Sequence, residues 1–239
     1  MNPSADAVGL LAKHLPLVLS VIAGMVDVIG YLSLKLFTAH VTGNIVVIAA
    51  QLVYGGPPKM DQILAVPVFI LAVAGVWLIA HALHRRGPAL RRPLLLIQFL
   101  LLTCVLIVAV IYHPDADPSG LMSDITAMIA VSAMASQYSL LQLTLPGAPS
   151  TAVMTGNLTK TVLAFLETTS ERDSLISERQ PLIKDARQEL RTTLQAVVGF
   201  FAGCLLGAGA VFWLRDWAWS LPVIVAGVTW ALVARGTNE

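Results

Sequence analysis

Six runs of about 20 apolar residues divide the sequence, and a run of this length is what one helix needs to cross the hydrocarbon core of a bilayer. The runs span residues 15–36, 63–82, 93–112, 121–143, 196–214 and 217–233, and two shorter apolar runs lie at 45–54 and 158–166. Only 12% of the 239 residues are charged, whereas soluble domains carry roughly 25%. The pattern predicts an all-α membrane protein with a single transmembrane domain over residues 1–239, and the lipid bilayer as its first partner.

The composition also excludes several functional classes. The formal net charge is +1 and no basic stripe is present, so no nucleic-acid partner is expected. The sequence contains no Walker loop, dinucleotide-binding fingerprint or zinc-hydrolase motif, and no spacing of Ser and His marks a catalytic triad. We therefore expect neither an enzyme nor a cofactor. His81 and His84 lack further ligands nearby, so no metal site is predicted.

Basic residues are concentrated in particular loops, and short loops rich in Lys and Arg stay on the cytoplasmic side of a membrane. Four arginines lie within residues 85–92, whereas residues 113–120 contain two aspartates and no Lys or Arg. We therefore place residues 85–92 in the cytoplasm and residues 113–120 outside. The charged stretch 171–191 is then a cytoplasmic linker, and both termini are cytoplasmic.

A seven-residue motif occurs twice in the chain. Residues 38–44 read Thr-Ala-His-Val-Thr-Gly-Asn and residues 151–157 read Thr-Ala-Val-Met-Thr-Gly-Asn, so five of the seven positions are identical. Each motif follows a long apolar run, and each precedes a short run and then two long ones. This shared order predicts an internal repeat, with repeat A over residues 12–112 and repeat B over residues 121–235. Such repeats are common in secondary transporters.

The short helix of each repeat can be connected in two ways. If it returns to the side from which the chain entered, the fold has six full spans and two re-entrant half-helices, and the second repeat is inverted. If it crosses completely, the fold has eight crossing segments in parallel repeats. The inverted arrangement places 11 of the 15 Lys and Arg residues in the cytoplasm, and we expect it for that reason.

The two motifs contain residues suited to holding a polar solute. The glycine of each motif permits a tight turn or a close backbone approach, and its threonine or asparagine would cap the short helix. A helix start carries free N–H groups and partial positive charge, so two starts near the bilayer centre would form a site for a polar or anionic solute. Turns that serve only packing are the alternative. The predicted substrate-binding residues are Thr42, Gly43, Asn44, Thr155, Gly156, Asn157, His40, Gln137 and Tyr31.

Asp27 lies in the middle of the first apolar run, where a lone carboxylate is costly and functional by default. Gly24 and Gly30 share its helical face and would let another stretch of backbone approach it. We expect Asp27 to bind a coupling proton or sodium ion, with Lys160 as a compensating charge near the second short helix. The alternative is a structural aspartate that is hydrogen-bonded to a motif N–H group or to Lys160.

Three segments together resemble a known family. They are residues 24–31 (Gly-Met-Val-Asp-Val-Ile-Gly-Tyr), residues 37–44 and residues 151–157, and the last two carry the paired Thr-Gly-Asn motifs. The segments are similar to the YoaK family of bacterial membrane proteins, a domain-of-unknown-function family, and the resemblance covers essentially the whole chain. It implies a multi-pass protein of the bacterial inner membrane and supplies no substrate.

These observations predict a secondary transporter of a small polar, anionic solute that binds at the two half-helix N-termini near the bilayer midplane. A passive small-solute channel is one alternative, and a non-transporting membrane scaffold or accessory protein is another. Gly199, Gly203 and Gly207 have the spacing of closely packed membrane helices. They would serve packing within one chain or the contact of a homodimer.

Overall fold

A computed structural model describes residues 3–54, 59–83, 87–114, 116–117, 120–151, 153–170 and 180–235. Every regular element in these ranges is helical. The α-helices, in chain order, are α1 (Pro3–Leu34), α2 (Val41–Tyr54), α3 (Met60–Ala82), α4 (Arg91–Tyr112), α5 (Leu121–Thr144), α6 (Met154–Ser170), α7 (Gln180–Leu214) and α8 (Ser220–Arg235). Two 3-10 turns, Gly87–Leu90 and Arg215–Trp219, precede α4 and α8.

The prediction of an all-helical protein is confirmed, since each apolar run coincides with one helix. Four stretches of the described residues are long and apolar enough to cross a membrane, namely His14–Leu34, Met60–Ala82, Gly87–Tyr112 and Asp185–Arg235. The last stretch has 51 residues and contains most of α7 together with α8, which the second 3-10 turn separates. α5 is not among the four stretches, because Ser, Thr and Gln side chains lower its hydropathy.

Three glycines of α7, spaced four residues apart, let this helix pack directly on the backbone of α1. Gly199 faces Leu17, Gly203 faces Val21 and Gly207 faces Met25. A Cβ atom at Gly203 would lie 2.1 Å from the Val21 carbonyl oxygen, so no side chain fits between the helices. Because the residue numbers rise together, α1 and α7 run in the same direction. Of the two roles predicted for these glycines, the structure shows packing within one chain, since α1 of the same chain covers their faces.

α5 lies at the centre of the bundle and packs against α1, α3 and α4. The ring of Tyr138 on α5 lies 5.7 Å from the ring of Phe69 on α3. Farther along both helices, Gln142 of α5 and Trp77 of α3 line one cavity. α3 and α5 therefore run in the same direction, as α1 and α7 do. The first helix of each predicted repeat thus packs on the third helix of the other.

Hydrogen bonds fix the direction of α4 relative to α5. Gln98 donates to Gln137 at 2.7 Å, and Arg91, at the start of α4, donates to the carbonyl oxygen of Thr144 at the end of α5. The two helices are therefore antiparallel. α4 and α8 also pack together, and α8 contacts α1. Since α1 corresponds to α5 in the repeat and α4 corresponds to α8, the contact of α8 with α1 is the counterpart of the contact of α4 with α5.

The segments that contain the two short helices begin and end close to the ends of other helices. At the end of α1, the Lys35 carbonyl oxygen accepts a hydrogen bond of 3.2 Å from Gln62 Nε2 at the start of α3. At the opposite end, the loop 144–149 after α5 and residues 185–193 of α7 line one cavity of about 620 Å³. α2 packs on α3 and α6 packs on α7.

We expect Gly203→Ala to lower the stability of the protein, because its added Cβ would meet the α1 backbone. Overpacking of this kind typically costs about 1–3 kcal/mol. Gly209→Ala is the control on the same helix, since a Cβ there meets nothing within 4 Å and alanine is the better helix former. Thermal unfolding of the purified protein in detergent compares the two variants. Equal losses of stability would contradict the packing of α1 on the glycines of α7.

Candidate functional site

The carboxylate of Asp27 lies inside the bundle and binds the turn that precedes α2. Its Oδ1 atom accepts hydrogen bonds of 2.9 Å from the backbone N–H groups of Thr38 and Ala39, and a longer one of 3.4 Å from His40. The residue is only 5% exposed. Successive backbone N–H groups form a concave anion site, and here the anion is a side chain of the same protein.

His40 completes the contacts of this carboxylate. Its Nδ1 atom lies 2.7 Å from Asp27 Oδ2, and its ring packs edge-on against Phe200 of α7 at 5.0 Å between centroids. The His40 side chain is 27% exposed, whereas that of Asp27 is 7% exposed. The imidazole therefore connects the buried carboxylate to the surface of the bundle.

Two glycines make the approach to Asp27 possible, as the sequence predicts. A Cβ at Gly30 would lie 2.9 Å from Thr38 Cγ2, so the turn could not reach the helix past a side chain there. A Cβ at Gly24 would lie 2.2 Å from the Phe200 carbonyl oxygen of α7. The turn and α7 therefore contact α1 on either side of the carboxylate.

The asparagine of each motif holds the loop before its short helix. Asn44 Oδ1 accepts from the Phe37 N–H at 3.0 Å, and its Nδ2 donates to the Phe37 carbonyl oxygen at 2.8 Å. Asn157 Nδ2 donates to the Ser150 carbonyl oxygen at 2.7 Å, again seven residues earlier. The prediction that these asparagines cap the helix start is wrong, because their amides reach back to the loop.

Gln137 occupies the place in α5 that Asp27 occupies in α1, since each lies seven residues before the end of its helix. It accepts a hydrogen bond from Gln98 of α4 and donates to the Leu19 carbonyl oxygen at 2.9 Å and to Thr151 Oγ1 at 3.1 Å. The second turn is therefore held by a neutral amide, whereas the first is held by a carboxylate.

The Tyr138 hydroxyl lies between the two turns. Its oxygen is 2.5 Å from the Ala39 carbonyl oxygen of the first motif and 3.4 Å from the Thr151 carbonyl oxygen of the second. A single hydroxyl proton serves one of these acceptors at a time, and the distances favour Ala39. The two motifs thus meet at one side chain of the central helix.

Other predicted residues lie away from this meeting point. Thr42 and Thr155 are exposed on the first turns of the short helices, and Gly43 and Gly156 are half-buried beside them. Tyr31 is exposed and stacks on Phe37. The structure therefore places Asp27 and His40 at the first turn and Gln137 at the second, and it directs Thr42 and Thr155 outward.

Lys160 is not a partner of Asp27. It lies on the exposed face of α6, where its Nζ is 3.9 Å from Glu189 of α7. Of the two hydrogen-bond partners predicted for Asp27, a motif N–H group and Lys160, the structure shows the first. In the described part of the chain, no three His, Cys, Asp or Glu side chains are placed to hold a metal. His81 stacks on Trp77, and His84 lies outside the described residues.

Two members of the central network were not selected from the sequence. Gln98 and Tyr138 are polar side chains inside long apolar runs, and both are buried. A buried polar group requires a hydrogen-bond partner, so an amide within a predicted span was itself a sign of a polar contact between helices. The identity of that partner depends on how α4, α5 and the turns pack, which the spacing of residues does not specify.

Comparison with other proteins places the chain in a family without giving it an activity. No curated protein and no solved structure matches the sequence. Residues 15–234 match the family described as "Protein of unknown function (DUF1275)", so the match covers all eight α-helices except the ends of α1 and α8. A family of unknown function is also what the paired Thr-Gly-Asn motifs imply by resemblance. The chain is a member of the DUF1275 family.

Proposed function

We propose that this protein is a secondary transporter that moves a small anionic solute together with a proton. The solute binds where the two turns meet, and Asp27 carries the proton. The observation that supports this proposal is the buried carboxylate held by N–H groups of one turn and by His40. An ionisable side chain at membrane depth is expensive and usually belongs to a transport pathway or proton relay.

The proposed membrane topology has six full spans and two re-entrant half-helices, α2 and α6, in an inverted repeat. The packing of α1 on α7 and of α5 on α3 supports it, because a pseudo-two-fold axis in the membrane plane exchanges these pairs. α5 serves as a span despite its lower hydropathy, since the other helices surround it. With residues 85–92 on the cytoplasmic side of a bacterial inner membrane, both termini are cytoplasmic.

A proton suits the surroundings of Asp27 better than a sodium ion does. Hard cations require several oxygen ligands, whereas Asp27 Oδ1 accepts from the N–H groups of Thr38 and Ala39 and Oδ2 faces a ring nitrogen of His40. These neighbours are hydrogen-bond donors or a proton carrier. The partly exposed imidazole of His40 gives a proton a route to the carboxylate.

Asp27 and an anionic solute would compete for the same N–H groups. In the structure the carboxylate occupies those of Thr38 and Ala39. Protonation removes its charge and weakens the charge-assisted hydrogen bonds, so the turn becomes available to the solute. Binding of the proton then favours binding of the anion, and binding of the anion favours binding of the proton, because coupling between two sites is reciprocal.

The charge of Asp27 also acts on helices from both repeats. Tyr138 of α5 contacts the turn that Asp27 holds, and α7 packs against Gly24, one helical turn before Asp27. Neutralising the carboxylate therefore changes the interactions at the contact between the two repeats. Movement of one repeat against the other is how transporters with inverted repeats expose a central site to either side.

Cysteine labelling of intact cells tests the topology, in a background without Cys104 and Cys204. We expect Lys35→Cys and Met60→Cys to react with a membrane-impermeant maleimide added outside, because both ends of the α2 segment lie at one end of the bundle. Gly147→Cys should react only after the membrane is opened. Reaction of Lys35→Cys and Met60→Cys from opposite sides would instead support eight crossing segments.

Proton movement in liposomes tests the function. With a pH-sensitive dye inside, we expect one member of a panel of small carboxylates, phosphate and nitrate to acidify the lumen when it is added outside at equal pH. Asp27→Asn should lower the rate at least about tenfold, which corresponds to roughly 1.4 kcal/mol of lost coupling. His40→Gln should slow the acidification, because the imidazole no longer passes protons to the carboxylate.

Another His–Asp pair in the described part of the chain supplies the matched control. His113 Nδ1 lies 2.5 Å from Asp216 Oδ2 at one end of the bundle, with the histidine 61% exposed. Asp216→Asn removes the same kind of pair and the same charge, and it should leave acidification unchanged. Anion uptake without proton movement would favour the passive channel. No uptake of any panel member, with Asp27→Asn folding as well as wild type, would favour the scaffold.

A further inference from the structure

A polar cavity lies at the end of the bundle where α4 and α7 begin, next to the loop that leads from α5 to the second turn. Its volume is about 620 Å³, and it is lined by this loop, by one face of α7 and by Pro16, Arg91 and Lys160. Neither Asp27 nor His40 is part of its wall. The charged residues that line it are Arg91, Lys160, Asp185 and Glu189.

Two buried polar atoms in the cavity wall have no hydrogen-bond partner. They are Arg91 Nε and Thr144 Oγ1, and Thr144 is only 3% exposed. The same two residues are joined by a hydrogen bond of 3.1 Å from Arg91 Nη2 to the Thr144 carbonyl oxygen. A guanidinium N–H and a hydroxyl side by side are donors that suit one oxyanion group, because guanidinium groups bind carboxylates and phosphates through parallel N–H bonds.

The acidic residues of the cavity lie nearer to solvent. Asp185 and Glu189 are exposed on α7, and Glu189 is loosely paired with Lys160 at 3.9 Å. This pair cancels one positive and one negative charge, so the remaining charges are those of Arg91 in the wall and Asp185 at the rim. The cavity thus presents a positive group and a negative group to whatever occupies it.

We propose that this cavity binds a small zwitterion, with its oxyanion on Arg91 and Thr144 and its ammonium group toward Asp185. A simple anion would satisfy Arg91 but would approach two carboxylates, and a simple amine would leave the two buried donors unpaired. The chemistry fits a free amino acid and also the phosphoethanolamine headgroup of a lipid. The inference is independent of the proposed transport, since it uses none of the residues around Asp27.

Thermal unfolding of the full-length protein in detergent tests the site, since a ligand that binds the folded state raises the unfolding temperature with its concentration. The probes are alanine, acetate, ethylamine and glycerophosphoethanolamine, each against sodium chloride at equal ionic strength. We expect alanine or glycerophosphoethanolamine to stabilise the protein at lower concentration than acetate or ethylamine. A response to alanine identifies a free amino acid as the ligand, and a response to glycerophosphoethanolamine alone identifies the lipid headgroup.

Variants assign any stabilisation to the cavity. Arg91→Gln and Asp185→Asn should each weaken the response to the zwitterion at least about tenfold, because each removes a charged partner. Thr144→Val keeps the shape of the side chain and should weaken the response even if Arg91→Gln folds poorly. Arg92→Gln and Glu167→Gln change neighbouring charges outside the cavity and should have no effect. Equal stabilisation by acetate and alanine, an unchanged response in Thr144→Val and Asp185→Asn, or no response to any probe would overturn the proposal.

Discussion

The hydrogen bonds between Asp27 and the turn before α2 are the constraint on which the rest of the site depends. A chain that leaves helical geometry within a bilayer must find partners for its backbone groups inside the protein, since each unsatisfied group costs several kcal/mol. Asp27 supplies them for Thr38 and Ala39, and Asn44 supplies them for Phe37. The carboxylate therefore stabilises the reversal of the chain and at the same time places an ionisable group beside it.

The two repeats solve this problem with different chemistry. In the first, a carboxylate binds backbone N–H groups, whereas in the second the amide of Gln137 binds the Thr151 hydroxyl and the carbonyl oxygen of Leu19. The amide is neutral, so the two turns are held by groups of different charge. Tyr138 contacts both turns, so one side chain of α5 joins the two different solutions.

Run length and repeat order were sufficient to predict the helices, because about 20 apolar residues have few alternatives to a span. Spacing on a helix also predicted that Gly24 and Gly30 admit a neighbouring backbone near Asp27. The partners of Asn44 and Asn157 were missed, because the path of a loop is not encoded in a periodic pattern. Lys160 was misplaced for a related reason: the face that α6 buries is decided by its packing on α7, and the lysine lies at the exposed edge of this contact, beside Glu189.

The low hydropathy of α5 has a consequence for how this protein enters the bilayer. The side chains of Ser123, Thr126, Ser136 and Gln137 face the interior of the finished bundle, and in lipid such groups need partners within the protein. A segment of this kind partitions poorly by itself. Gln98 on the preceding helix offers a hydrogen bond to Gln137 as soon as both have left the ribosome. The biogenesis of α5 is thus expected to be cooperative, with α4 and α5 entering the membrane as a hairpin.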